Sequence, residues 1–216
     1  MKNQDPSSEQ LQPIISLFTQ GQLQQALSEA TQMLERFPNS VILYNIAGAS
    51  NAGLMQFDAA ISSYKQAIKI KPDYAEAYYN MSVALNDKGD LEAAIESYKQ
   101  ALKIKPDYAQ AYNNMGNIQK NKGDLEAAIE SYKQALKIKP DYAQAYYNMG
   151  NALKDKGDLE AAIENYKQAL KIKPDYAQAY SNMGIALKDQ SDVEAAIESY
   201  KQAIKIKPDY AEAYYN

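Results

Sequence analysis

Residues 109–142 have the sequence AQAYNNMGNIQKNKGDLEAAIESYKQALKIKPDY, and nearly the same 34 residues occur on either side of them. The motif KIKPDYA marks the period, because it begins at Lys69, Lys103, Lys137, Lys171 and Lys205. Self-similarity at such a period indicates a repeat architecture, in which each copy is one small unit that stacks on its neighbours. The period therefore has to be interpreted before any single motif.

The period divides almost the whole chain into copies, which we number from position 1 to position 34. Position 1 is Ala109 in the quoted copy, and all 19 tyrosines fall at positions 4, 5, 24 and 34. We predict an N-terminal tail, a divergent first copy that acts as a cap, five further copies and the start of a seventh. Their ranges are 1–6, 7–40, 41–74, 75–108, 109–142, 143–176, 177–210 and 211–216.

Each copy predicts two antiparallel helices. One face of the first helix has the spacing i, i+3, i+4, i+7, with Tyr112, Met115, Gly116 and Gln119. Residues 121–124, NKGD, then form a turn before a second helix that ends at Pro140. Gly is destabilising in a helix interior by about 1 kcal/mol. Its recurrence at position 8 therefore indicates that the two helices approach each other closely.

The polar residues at the turns predict how the helices begin. Asp124 is expected to cap the second helix, and Asp141 with Gln144 matches a D-x-x-Q capping box for the next first helix. Met55 and Ser191 stand where other copies have the turn glycine. We expect these two turns to be looser or to adopt another geometry.

The composition excludes several kinds of active site. The chain has no Cys and no His, so it lacks a thiol nucleophile, a disulfide framework and the commonest general base and metal ligand. The acidic residues are spread over solvated faces and caps, and no Gly-rich loop follows a strand. We therefore expect that the chain is not an enzyme and uses no cofactor and no metal.

Charge and hydropathy limit the partners. The 23 Lys plus Arg against 27 Asp plus Glu give a net charge of −4, which disfavours binding to a phosphate backbone. No apolar run approaches the roughly 18 residues that a membrane span requires. We expect a protein or peptide partner, no nucleic acid and no membrane, and a cytoplasmic location.

The repeat resembles a known family. In the copy that starts at residue 143, the identifying residues are Tyr146, Gly150, Leu153, Gly157, Ala162, Tyr166, Ala169 and Pro174. This pattern is similar to the tetratricopeptide repeat, and the resemblance covers residues 7–216. It implies an all-α fold, a right-handed superhelical solenoid of antiparallel helix pairs, with the first helices along the concave surface.

One amide recurs at position 6, on the face expected to line that concave surface. A carboxamide both donates and accepts hydrogen bonds, so a row of them can pair with the backbone of an extended peptide. The row resembles the asparagine ladder in the tetratricopeptide domain of O-linked N-acetylglucosamine transferases. The predicted groove residues are Asn80, Asn114, Asn148, Asn182, Tyr79, Asn113, Tyr147, Asn117, Asn151, Lys120, Lys154 and Lys188. The same amides can instead bond to neighbouring repeats and serve stability alone.

The sequence therefore predicts a non-catalytic protein–protein interaction scaffold that binds extended peptide segments through this ladder. Its resemblance to bacterial arrays of this type implies that it is a domain of a larger bacterial protein. The alternative is a self-associating structural scaffold, forming homo-oligomers through an uncapped C-terminal end. The self-association surface is expected to consist of Ile197, Tyr200 and Ile204, partly covered by Tyr214 and Tyr215.

Overall fold

The computed structural model describes residues 5–208, which form twelve α-helices and no strand. The chain divides into two compact units, Met1–Pro106 and Asp107–Asn216. Within each unit, every helix packs against the next one along the chain. The prediction of an all-α fold made of paired helices is therefore confirmed.

The first unit contains six helices in three pairs. They are α1 (Ser8–Thr19), α2 (Leu23–Arg36), α3 (Val41–Gly53), α4 (Phe57–Ile70), α5 (Ala75–Lys88) and α6 (Leu91–Ile104). The first helices of consecutive pairs also contact each other, α1 with α3 and α3 with α5. The first helices therefore lie side by side along one surface of this unit.

The second unit repeats the arrangement. Its helices are α7 (Ala109–Asn121), α8 (Leu125–Ile138), α9 (Ala143–Lys156), α10 (Leu159–Ile172), α11 (Ala177–Asp189) and α12 (Val193–Ile206). The first helices again contact in sequence, α7 with α9 and α9 with α11. This row of first helices carries most of the predicted groove residues.

The turn inside each pair uses a left-handed residue. Gly123 has φ +84°, a conformation that glycine adopts without steric penalty. Met55 and Ser191 take the same conformation, with φ +61° and +68°. The expectation of a looser or different turn is therefore wrong, because both side chains are exposed and the backbone keeps the geometry of the glycine turns.

The predicted N-cap at Asp124 is confirmed, whereas the predicted capping box at Asp141 is not formed. The Asp124 carboxylate accepts a hydrogen bond from the Ala127 backbone N–H at 3.1 Å, as expected for an N-cap. The predicted capping box of Asp141 is wrong. Helix α9 begins at Ala143, and its N-cap residue, Tyr142, has no side-chain cap bond. Tyr142 packs into the core cluster of α8 and α9, so the helix begins only after it.

Close contact between a glycine and a tyrosine joins the two helices of four pairs. A Cβ atom added to Gly116 would lie 2.7 Å from the ring of Tyr132 on the second helix. Equivalent contacts are made by Gly48 with Tyr64, Gly150 with Tyr166 and Gly184 with Tyr200. Helix α5 has Ser82 at this position instead, and its hydroxyl donates to the Tyr78 carbonyl. The glycine explanation inferred from the sequence therefore holds at four of these pairs.

Within each unit, a first helix also covers the second helix of the pair before it. Helix α9 covers α8 in this way, through positions 3, 7, 10 and 11 of the repeat. The covering residues are Ala145, Met149, Ala152 and Leu153, and the covered ones are Ala128, Ile129, Ala135 and Leu136. The spacing of the covering residues puts one apolar stripe of α9 onto α8.

Candidate functional site

The position-6 amides bond to the preceding repeat in both units. In the first unit, Asn80 Nδ2 donates to Asn45 Oδ1 at 3.0 Å. In the second unit, Asn148 Nδ2 donates to Asn113 Oδ1 at the same distance. In each case the acceptor is at position 5 of the previous first helix. The amide row thus ties neighbouring first helices together.

Asn182 shows that the acceptor at position 5 need not be an amide. Its Nδ2 atom lies 3.0 Å from the Tyr147 hydroxyl oxygen and 2.8 Å from Asn151 Oδ1. Both N–H groups of this carboxamide therefore have partners inside the stack. Of the two roles that the sequence left open for these amides, the bond to the neighbouring repeat is the one formed here.

Burial follows from these bonds. Asn113 is only 3% exposed and Asn148 only 8%. Asn113 was expected on the open groove face, and this expectation is wrong because its side chain accepts from Asn148 and donates to Asn114 at 3.2 Å. Asn114 and Asn182 are half-buried. The position-6 amides are therefore partly or fully buried between neighbouring first helices.

The position-5 tyrosines are also engaged. The Tyr79 ring packs edge-on against Tyr98, with centroids 5.8 Å apart. The Tyr147 ring lies 4.9 Å from that of Tyr176. Both Tyr79 and Tyr147 are half-buried. They form part of the packing between helices as well as part of the predicted groove.

The position-9 amides are arranged differently. Asn117 Oδ1 accepts from the Tyr132 hydroxyl, and Asn151 Oδ1 accepts from the Tyr166 hydroxyl, both at 2.8 Å. Burial raises the pKa of both tyrosines, so their hydroxyls remain protonated donors at neutral pH. The Nδ2 groups of Asn117 and Asn151 have no hydrogen-bond partner among residues 5–208. They are half-buried donors held in a fixed orientation.

Gln144 and Tyr176 join the network. The sequence had assigned Gln144 to a capping box, and it did not single out Tyr176. Gln144 Nε2 donates to Asn148 Oδ1 at 2.9 Å, and Gln144 Oε1 accepts from the Tyr176 hydroxyl at 2.7 Å. The sequence contained one indication that a position-6 amide bonds to position 5 of the copy before it. Asn45 precedes Asn80 by 35 residues, one more than the 34-residue period.

The predicted lysine row is not uniform. Lys120 pairs with Asp155 at 3.0 Å. Lys154 is half-buried and has no carboxylate within ion-pair distance in the described part of the chain. Lys188 is exposed. Lys154 therefore offers a positive charge on this surface.

The C-terminal end differs from the expectation at one residue. Ile197 is exposed and Ile204 is half-buried, but Tyr200 is buried because its ring packs against Gly184. The prediction that Tyr200 belongs to an exposed face is therefore wrong. Tyr214 and Tyr215 lie outside the described residues.

Within residues 5–208, no helix has the length and apolar character needed to cross a membrane. No group of three or more acidic side chains in this range is placed to hold a metal ion.

The family model described as TPR repeat matches five overlapping segments that together span most of the chain, residues 56–85, 83–123, 120–157, 150–191 and 186–216. The chain belongs to the tetratricopeptide repeat (TPR) family. The first helices of its TPR units are the ones that carry the amide rows.

Solved TPR structures share this fold. MamA is 28% identical, with a TM-score of 0.72 over 76% of this chain and 96% of its own. PilF of Pseudomonas aeruginosa is 17% identical, with a TM-score of 0.81 over 96% of this chain and 94% of its own. YrrB, described as a TPR protein with an unusual peptide-binding site, is 20% identical, with a TM-score of 0.72 over 86% and 96%. The last two likenesses establish the fold alone.

One curated relative is an Arabidopsis thaliana protein, the probable UDP-N-acetylglucosamine–peptide N-acetylglucosaminyltransferase SEC. It is 33% identical over 76 residues, which are 35% of this chain and 8% of the relative. This TPR chain thus corresponds to only a small part of that protein.

Proposed function

We propose that the chain is a protein-interaction scaffold whose first helices in the second unit bind an extended peptide. The observation that carries the proposal is the pair of unengaged amide donors on Asn117 and Asn151. They lie on α7 and α9, which are consecutive first helices in contact. An extended backbone presents carbonyl groups that such donors can bind.

Hydrogen bonds from the tyrosine hydroxyls orient these amide donors before a ligand binds. The tyrosine hydroxyls hold the amide oxygens of Asn117 and Asn151, so the N–H ends have a defined orientation before binding. Groups that are already ordered lose less conformational entropy when a ligand binds. Asn182 adds an acceptor, because its Oδ1 atom has no hydrogen-bond partner among the described residues. Lys154 adds a positive charge for an acidic side chain.

The expected affinity is modest. Each backbone hydrogen bond contributes about 0.5–1.5 kcal/mol net. A micromolar complex requires about −8 kcal/mol. Contacts to the peptide side chains therefore have to supply most of the binding energy, while the amides select an extended backbone.

The sharpest test replaces the outward donors and keeps the internal acceptors. Asn117→Asp together with Asn151→Asp leaves an oxygen for each tyrosine hydroxyl and removes the amide N–H groups. Binding would be measured on an array of immobilised 12-residue peptides and then in solution with the strongest hits. We expect roughly 10- to 100-fold weaker binding from the loss of two hydrogen bonds.

The matched control is Asn121→Asp, which adds a negative charge to the exposed end of α7 without touching the amide row. It should bind the same peptides as the wild type. If the double variant also retains every peptide at unchanged strength, the groove proposal is wrong. Alanine at position 6 is less informative, because it breaks bonds between repeats and so tests stability first.

We also infer that the scaffold is a cytoplasmic domain of a larger bacterial protein. The basis is the resemblance of its repeats to bacterial arrays that precede an enzyme domain. The test is to read the full gene that encodes this chain and to identify its source genome. A genome outside bacteria would contradict the inference.

A further inference from the structure

The turn between α3 and α4 holds a methionine where four other pairs have glycine. Met55 has φ +61°, and its backbone N–H donates to the Ala52 carbonyl at 2.9 Å, as that of Gly123 does to the Lys120 carbonyl. A side chain at this position of the turn has no neighbour to pack on, because a Cβ atom built on Gly89 or Gly123 meets nothing within 4 Å. Met55 is accordingly 75% exposed.

Packing does not explain an apolar side chain in this turn. Ser191 occupies the equivalent position of the α11–α12 pair, and a small polar residue is what an exposed turn favours. A residue other than glycine is also disfavoured in the left-handed conformation. The property that distinguishes methionine from other apolar residues is its thioether sulfur, which oxidants convert to a sulfoxide.

The other methionines among residues 5–208 lie inside the fold. Met33 and Met149 are half-buried, and each packs against a core cluster of its own unit. The three that are buried are Met81, 8% exposed, Met115, 8% exposed, and Met183, 9% exposed. A thioether reacts only where an oxidant reaches its sulfur, so accessibility separates Met55 from all five.

We propose that Met55 is a site of reversible oxidation by peroxides. The sulfur lone pair attacks one peroxide oxygen, the O–O bond breaks, and the S–O bond of the sulfoxide forms. The leaving oxygen takes the proton of the attacked oxygen and departs as water, or as an alcohol when the oxidant is an alkyl hydroperoxide. The sulfur loses two electrons, and these reduce the peroxide. A methionine sulfoxide reductase restores the thioether, with two thiols oxidised to a disulfide and the oxygen released as water.

The surroundings of Met55 can accommodate the sulfoxide. Met55 lines a surface cleft of about 410 Å³ together with Phe57, Asp58 and Lys88. The Lys88 ammonium donates to the Asp58 carboxylate, and an ammonium has three donors in all. Lys88 can therefore also donate to a sulfoxide oxygen. Oxidation should leave the fold intact, because Met55 is not part of a core that a polar group would disrupt.

The test exposes the full chain to dilute hydrogen peroxide and follows each methionine by proteolytic digestion and mass spectrometry. Met55 should oxidise at least about tenfold faster than Met81, Met115 or Met183, because their sulfurs are shielded. In concentrated urea, where every side chain is accessible, the methionines should react at similar rates. Circular dichroism should give the same helical signal before and after Met55 is oxidised. Two reductases, one for each sulfoxide epimer, should then restore Met55 in the presence of a dithiol.

Two variants test whether the turn position sets this reactivity. Met55→Gly introduces the residue of the other turns, and it should remove the fast reaction while the remaining methionines react as before. Ser191→Met places a thioether in the equivalent exposed turn of the second unit, and this thioether should react about as fast as Met55.

Three results would overturn the proposal. One is a folded chain in which any of the half-buried or buried methionines reacts as fast as Met55. Another is a Ser191→Met variant whose new thioether reacts as slowly as the core methionines. The third is a Met55 sulfoxide that the reductases leave unchanged or that lowers the helical signal. Met1 lies outside the described residues, and its separate peptide keeps it out of all three readings. The inference concerns the first unit and does not depend on the groove proposal.

Discussion

The α9–α10 and α11–α12 pairs have nearly the same sequence, yet their tyrosines and isoleucines have different surroundings. The Tyr166 hydroxyl donates to Asn151, whereas Tyr200 has Ile185 at that position, and its buried hydroxyl has no partner among residues 5–208. Ile163 is covered by the next first helix, whereas Ile197 is 48% exposed.

The comparison distinguishes three influences on a side chain: packing within its own helix pair, the residue type at position 9, and the next repeat. Both tyrosine rings are buried, because each packs on a glycine of its own pair. The hydroxyl bond depends on whether position 9 is an amide. The coverage of the isoleucine depends on the next repeat in the chain. A repeat position therefore has no fixed environment until its neighbours are known.

The largest expected effect comes from removing the two tyrosine rings. Tyr166→Ala should lower the free energy of unfolding by about 3–5 kcal/mol, as large aromatic truncations in a closed core do. Tyr200→Ala should cost less, since the exposed side chains of α12 leave the helix room to move into the space, and since a buried hydroxyl without a partner is removed. Urea unfolding followed by circular dichroism measures both values. Equal losses would show that the next repeat adds nothing to the tyrosine site.

Removing only the hydroxyl should give effects of opposite sign. Tyr166→Phe deletes a hydrogen bond to Asn151 and should destabilise by about 1 kcal/mol. Tyr200→Phe deletes a buried hydroxyl without a partner and should leave stability unchanged or raise it. The same urea titration measures both variants. A loss of stability in Tyr200→Phe as large as in Tyr166→Phe would mean that the Tyr200 hydroxyl has a partner in solution.

The smallest effect is a difference in alkaline sensitivity. Burial, with a contribution from Tyr147, raises the pKa of Tyr176 from 10.0 to about 12. Because the folded state disfavours the phenolate, this stabilisation is complete below pH 10 and is lost as the pH rises towards 12. Tyr176→Phe should therefore flatten the fall of Tm above pH 10 more than Tyr200→Phe does. Parallel melting curves for the two variants would contradict this.

Features that repeat within one copy could be predicted from the sequence. The helix pairs, the Asp124 cap and the contact between Gly116 and Tyr132 all depend on residues of a single 34-residue copy. Periodicity and turn chemistry are sufficient to place them. The start of α9 was misplaced because Tyr142 packs into the core before the helix begins, which is a tertiary effect.

Features that join copies were harder to predict. The amide row was predicted on the first helices, and its bonds to neighbouring repeats were one of two alternatives. The residue that accepts each amide could not be predicted, because each donor finds its acceptor at a position whose residue type varies. Asn113 looked like a surface amide and is buried for this reason. The unengaged donors on Asn117 and Asn151 depend in turn on the tyrosines of the second helices.

The bond between positions 6 and 5 has a consequence for how such a gene can change. Asn113 and Tyr147 both accept the amide of the next repeat, so the acceptor works with either side chain. If recombination deleted residues 143–176, Asn182 would follow Asn113 and meet the acceptor that now serves Asn148. A duplication would be tolerated for the same reason. The number of these near-identical copies can therefore change while the junctions between them keep this hydrogen bond.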